Sequence, residues 1–269
     1  MLIRLGYDIR FDIPADVPIV ALLNVHSSRV GDLKEPDELV LDPAVPIERY
    51  CDCFGNTCSR FLAPAGSIAL MGSTLIYDSG EPDEVNLDAT QAPVEELPPQ
   101  VLQFLLPSRY CEVDRLGNTA FDLFADTAPG WPRVQAICDW VHAKVMFGYN
   151  FARSTKTALD VYTERTGVCR DFQHLAVTFC RCMNIPARYV TGYLGDIGVP
   201  PAATPMDFSA WFEVFLDGRW WTFDARHNQR RIGRVLMATG RDAADVALTT
   251  SFGRTALTKF VVVTDEVVE

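Results

Sequence analysis

Nowhere does the sequence run for the ~18 consecutive apolar residues that a membrane-crossing helix requires, so a helical membrane span is not expected. Basic side chains are the minority: 24 Lys and Arg stand against 35 Asp and Glu, a net charge of −11. That balance argues against a general nucleic-acid binder, which needs a basic surface. The opening segment, MLIRLGYDIRFDIPAD, has charges interrupting every apolar stretch, so a signal peptide is not expected. Paired cysteine motifs are also missing. CDCFGNTC (51–58) has C-x-C-x4-C spacing without a CxxC or a paired His, where tetrahedral zinc wants four ligands. It reads as a DCFGN turn between strands carrying incidental thiols, and a metal or redox role is the weaker alternative. With eight scattered cysteines and no export signal, reduced thiols in a cytoplasm are expected. Histidine is scarce: there are four, at 26, 142, 174 and 227.

What is present is the composition of a globular protein, 48% hydrophobic and 22% charged. Ile3, Leu5, Tyr7, Ile9 and Phe11 alternate with Arg4, Gly6, Asp8 and Arg10, the period of a half-buried strand. Further β-like runs at 17–25 and 67–77 are separated by Asp, Gly and Pro turns. The first eighty or so residues therefore read as an all-β domain, a small sandwich. The acidic, proline-containing stretch 78–100 is a connector. The expected division is a β domain with this linker over 1–95 and a second domain over 96–269.

The second domain changes character. Val134, Ile137, Cys138, Val141 and Val145 fall at helical spacing, with Pro132 in the first turn, where its missing donor costs nothing. TALDVYTER predicts a shorter helix stopped at Gly167. A third helix begins around Cys169, with Val168, Phe172, Leu175, Ala176, Phe179 and Met183 as one apolar stripe, and ends at Asn184 and Pro186. Strands follow at 187–194, 209–216 and 219–225. Helices followed by antiparallel strands make an α+β domain.

In RTGVCRDFQHLA (165–176), Cys169 stands between a glycine turn and a buried helix. Unpaired N–H groups and the positive dipole end there favour thiolate and offer an oxyanion site. A small buried core cysteine is the plainer alternative. Asp217-Gly218 predicts a two-residue hairpin that sets Leu216 against Arg219, and so brings positions 209 and 224 to one face as diagonal neighbours. Asp224 is placed to orient a base at 209. A histidine there would complete a Cys–His–Asp triad, but the residue is Ser209.

TGVCRDFQHLAVTFCRCMNIPARYVTGYL, MDFSAWFEVFLDGRWWTFDAR and PGWPRVQAICDWVHAKVMFGY together resemble the bacterial transglutaminase-like cysteine proteases, over most of residues 100–269. The β region resembles the domain that often precedes this core. The resemblance implies a papain-like core with Cys169 as nucleophile and Asp224 as orienting acid. The base is the His of a HAW segment, and this chain reads SAW. It also implies acyl transfer through a thioester on a peptide or small amide, with hydrolysis favoured over cross-linking, and no metal or cofactor. Among the remaining histidines, none fits the role of base: His174 points away around the helix, His227 faces away by strand parity, and His142 and His26 lie elsewhere. Severe impairment is therefore expected, with ligand binding without turnover as the alternative. Asp171 is expected to complement the helix dipole. Trp211 and Asp207 are assigned to substrate contact, Trp211 alternatively to the core. The loop 196–208 is expected to shape a cleft, and Arg226, Arg230, Arg231, Arg234 and Arg241 to form a solvated face.

Overall fold

Alternation along the first strand decides the architecture of the N-terminal half. In the computed structural model, which describes residues 1–201 and 205–267, the six N-terminal strands are β1 (Leu2–Ile13), β2 (Val17–Ala21), β3 (Val40–Asp42), β4 (Glu48–Cys51), β5 (Thr57–Ala63) and β6 (Gly66–Tyr77). Ile3, Leu5, Tyr7, Ile9 and Phe11 are buried, while Arg4 and Arg10 are exposed. The CDCFGNTC stretch is a turn between β4 and β5, its Asp52 carboxylate accepting from Phe54 N at 2.8 Å and Asn56 N at 2.9 Å.

The helices are α1 (Val113–Phe124), α2 (Trp131–Lys144), α3 (Ala158–Glu164) and α4 (Cys169–Cys182), with the two-residue strands β7 (Met146–Phe147) and β8 (Thr166–Gly167) between them. Helix α3 stops at Arg165, whose φ of 59° is left-handed, two residues before the expected glycine. Helix α4 is the centre of the second half and is buried on every side from Asp171 to Cys182, well beyond the expected stripe. It rests on a sheet ordered β11–β10–β9–β12, made of β9 (Ala187–Leu194), β10 (Ser209–Leu216), β11 (Arg219–Phe223) and β12 (Arg234–Gly240). The hairpin register is the expected one, Leu216 opposite Arg219 and Phe212 opposite Phe223.

The expected division of the chain needs a correction at its C-terminal side. β13 (Thr249–Ser251) pairs with β2, and β14 (Ala256–Val267) runs antiparallel along β1 with Leu2 opposite Val267. The two four-stranded sheets of the β half are therefore β14–β1–β6–β3 and β13–β2–β5–β4, sharing one core. The reason is edge satisfaction: β1 would otherwise leave a twelve-residue row of backbone groups unpaired. The whole is α+β. Among the described residues no helix is long and apolar enough to cross a membrane.

Candidate active site

Cys169 is the first residue of α4. Its helix begins where it does because Asp171, fully buried, accepts a hydrogen bond from Val168 N at 3.0 Å. Gly167 permits this: a Cβ there would meet the Asp171 Cβ at 2.6 Å. Pairing of β7 with β8 ties the same turn to Phe147. Asp171 thus serves the helix start, as expected.

The half-buried thiol opens on a cleft of about 620 Å³ lined also by Tyr110, Tyr189, Asp207 and Ser209, with Leu257 and Phe260 of β14 supplying an apolar wall. The expectation of a helix-favoured thiolate is overturned. Burial pushes the Cys169 thiol up to about 11; Arg226 and the Arg170 N–H oppose the rise, and the Asp207 and Asp224 carboxylates add to it. One helix N-terminus does not outweigh desolvation together with two anions.

Asp224 follows β11 directly and is held from four directions. Gln173 Nε2 of α4 donates to Oδ1 at 3.0 Å, and the N–H groups of Arg226 and His227 donate to the same oxygen at 3.0 and 3.1 Å. Oδ2 accepts from Arg234 Nη2 at 3.1 Å and lies 2.8 Å from His227 Nδ1. Burial alone would raise this carboxyl, but Arg234 and His227 hold it well below the usual carboxylate range. Gln173 also donates to Ala210 O at 3.1 Å and accepts from Ala225 N at 3.2 Å, fastening helix to hairpin.

Of the three expected positions, Ser209 lines the Cys169 cleft, while Asp224 lies outside it, just past β11 and tied to α4 through Gln173. Ser209 is 7% exposed, and its Oγ has no hydrogen-bond partner among the described residues. Asp207 lines the cleft too, its carboxyl raised by burial. Residues 202–204 of the loop expected to shape the cleft lie outside the described residues; Asp207 and Phe208 at its end do line it.

Three expectations are corrected. Trp211 is 2% exposed, lies against Gly192 and under Arg234 at 5.1 Å, and faces the connector side with Asp83 rather than the Cys169 cleft. Its role is packing behind Arg234, the core alternative. Arg231 and Arg234 are buried, not a solvated face: Arg234 Nε is 2.9 Å from Asp83 Oδ2, and Arg231 N donates to the same oxygen at 2.9 Å. His227 does not face away. Strand parity fails because β11 ends at Phe223, and the turn that follows folds the imidazole back onto Asp224.

The other histidines behave as expected. His174 is fully buried between Tyr110 and Tyr189 and accepts from Ala243 N at 3.1 Å, its basicity lowered well below the usual value by burial. His142 Nδ1 is 2.7 Å from Arg226 O, and His26 lies by the β4–β5 turn. Sequence reasoning missed Gln173, Asp83 and the role of Arg234. Only Gln173 carried a local signal, its i+4 spacing from Cys169 on one helix face.

Residues 118–225 match the transglutaminase-like superfamily core. A solved structure of a candidate cysteine protease from Cytophaga hutchinsonii is 30% identical, with a TM-score of 0.84, covering 98% of this chain and 90% of that one. An uncharacterized protein of Mycobacterium leprae is 26% identical over 211 residues, 76% of this chain and 75% of its own length.

Proposed function

We propose that this chain, which belongs to the transglutaminase-like superfamily, is built to open a peptide or small amide bond through a thioester on Cys169. The observation that carries the reading is one cleft holding Cys169 at a helix start beside Ser209, with Asp224 anchored behind it. The thiol attacks the carbonyl, and helix-start N–H groups meet the developing oxyanion. The amine leaves with a proton, and water resolves the thioester, so the net reaction is hydrolysis. Asp207 and the Leu257–Phe260 wall meet the substrate, which favours an amide next to an apolar group. With Ser209 where an imidazole would act, turnover is slow. We place the protein in the cytoplasm, where its eight unpaired thiols stay reduced.

One observation favours a second reading, a ligand held without turnover: the cleft sets Cys169 beside Asp207 and Ser209, neither of them an imidazole, and burial pushes the thiol up. Iodoacetamide alkylation of Cys169 followed against pH, peptide by peptide, separates the two for the parent and Ser209→His. The parent rate should climb through pH 9 toward about 11 without levelling. Ser209→His should label about tenfold faster or more at pH 7. Equal, slow labelling of both supports the binding reading. An absence of labelling at every pH sinks the nucleophile.

A further inference from the structure

The proposed thioester chemistry leaves one step without an agent: something must take the proton from Cys169 and later return it. Two observations bear on that step, and neither depends on position 209 holding a base.

The first is the state of His227. Asp224 is held as a carboxylate by Arg234 and by three N–H donors, so its Oδ2, 2.8 Å from His227 Nδ1, is an acceptor. Nδ1 must then carry the hydrogen. In a neutral imidazole this leaves Nε2 as the lone-pair nitrogen. An aspartate fixing the tautomer of an imidazole is the arrangement a general base needs. The ring is part-exposed, at 20%, so it is not sealed in the core.

The second is the position of Ser209. Beside the Cys169 cleft lies a smaller niche of about 90 Å³, lined by Tyr149, Asp207, Ser209, Arg226, His227 and Arg231 among others. A space of that size holds no more than a few waters. Asp207, Phe208 and Ser209 line both the niche and the cleft, and so together form the partition between Cys169 and His227. The Ser209 Oγ is buried and unpartnered among the described residues, so at rest it bonds neither Cys169 nor His227. A buried hydroxyl without a partner calls for an explanation. A hydroxyl both donates and accepts, so it can pass a proton without changing its own charge.

We infer that His227 supplies the imidazole of this site and that the Ser209 hydroxyl, on turning from its unpartnered resting position, carries the proton between it and Cys169. This rests on the thioester reading. In acylation the Sγ–H proton passes to Ser209 Oγ while the Ser209 proton passes to His227 Nε2. The Sγ–C bond forms, and the oxyanion collapses with cleavage of the C–N bond. The imidazolium then returns its proton by the same path to the leaving amine. In the second half, water attacks the thioester, gives its proton to His227 through Ser209, and Cys169 leaves and is reprotonated. No oxidant, metal or additional reactant is required.

The test uses p-nitrophenyl acetate, which acetylates a thiol and releases nitrophenolate, with the adduct at Cys169 counted by peptide mass spectrometry. His227→Ala should lower the Cys169 acetylation rate about a hundredfold. Ser209→Ala should lower it at least about tenfold, and the double variant no further than His227→Ala alone, because the two act in one path. Added imidazole should restore rate to His227→Ala, and Ser209→Thr should recover part of what Ser209→Ala loses. His227→Gln, whose amide still donates to Asp224, guards against a folding artefact and should be as slow as His227→Ala. If His227→Gln acetylates as fast as the parent, or if the losses from 209 and 227 simply multiply, the relay is wrong while the nucleophile stands. If the parent gains no adduct at Cys169, the relay and the thioester reading fall together.

Discussion

Cys169 and Asp224 are two acids joined by helix α4, one as its first residue and one through Gln173, and desolvation pushes both toward their neutral forms; only at the thiol does it prevail. The carboxylate receives a guanidinium, an imidazole and three N–H donors, whereas the thiol receives one backbone N–H and the field of Arg226. Two carboxylates add to the rise at Cys169, and one of them is Asp224 itself. The same burial therefore leaves a carboxylate at Asp224 and favours a thiol at Cys169. The fold invests its charges in orientation, and activation of sulfur is left to whatever receives its proton.

Removing the anchor should have the largest effect. Asp224→Asn leaves buried Arg234 with Asp83 as its remaining carboxylate, and breaking a buried pair from one side costs about 3–5 kcal/mol. Urea melts should place this variant near the low end, because Asp83 persists. The pH dependence has a definite sign. The Asp224 carboxyl is depressed in the folded state, so its contribution is present above the ordinary value of about 4 and fades as acid approaches the depressed value. The parent and Asp224→Asn should therefore converge in stability on acidification. A gap that persists in acid would mean the carboxylate charge is not what stabilises.

A smaller loss is expected from Asp83→Ala, about 1.5–3 kcal/mol for its bonds to Arg234 and the Arg231 N–H. The melt should show a lower midpoint with an unchanged slope. No change would show that Arg234 is fixed from the Asp224 side alone. The smallest effect belongs to Asp207→Asn. Removing that anion should bring the Cys169 alkylation midpoint down from about 11 by up to roughly one unit, or ~1.4 kcal/mol. An unmoved midpoint would assign the rise to burial and Asp224, with no part for Asp207.

Much of this site was readable from sequence because its determinants are local. Asp217-Gly218 dictates the hairpin register, which pairs Leu216 with Arg219 and Phe212 with Phe223. Gly167 and Asp171 set the helix start that carries Cys169. His227 was misread because parity was carried past Phe223, where the Asp224 side chain competes with the sheet for the next N–H groups and turns the chain. Asp83 and Arg234 are separated by 151 positions, and no local pattern joins them. Helix α1 buries Leu116, Ala120 and Phe124 at a spacing of four, but Gly117, Asn118 and Thr119 weaken its intrinsic helical preference. β14 is a different case: it exists to complete a sheet begun at the other end of the chain, and only tertiary pairing selects it.

That pairing bears on the order of assembly. Leu257 and Phe260 wall the Cys169 cleft, and they come into place only when β14 docks on β1, a contact between the most distant described segments of the chain. Contacts of such sequence separation form late, after the loop-closure entropy has been met. During synthesis the helix that bears Cys169 is complete long before its cleft is, so the thiol stands without its apolar wall until β14 arrives.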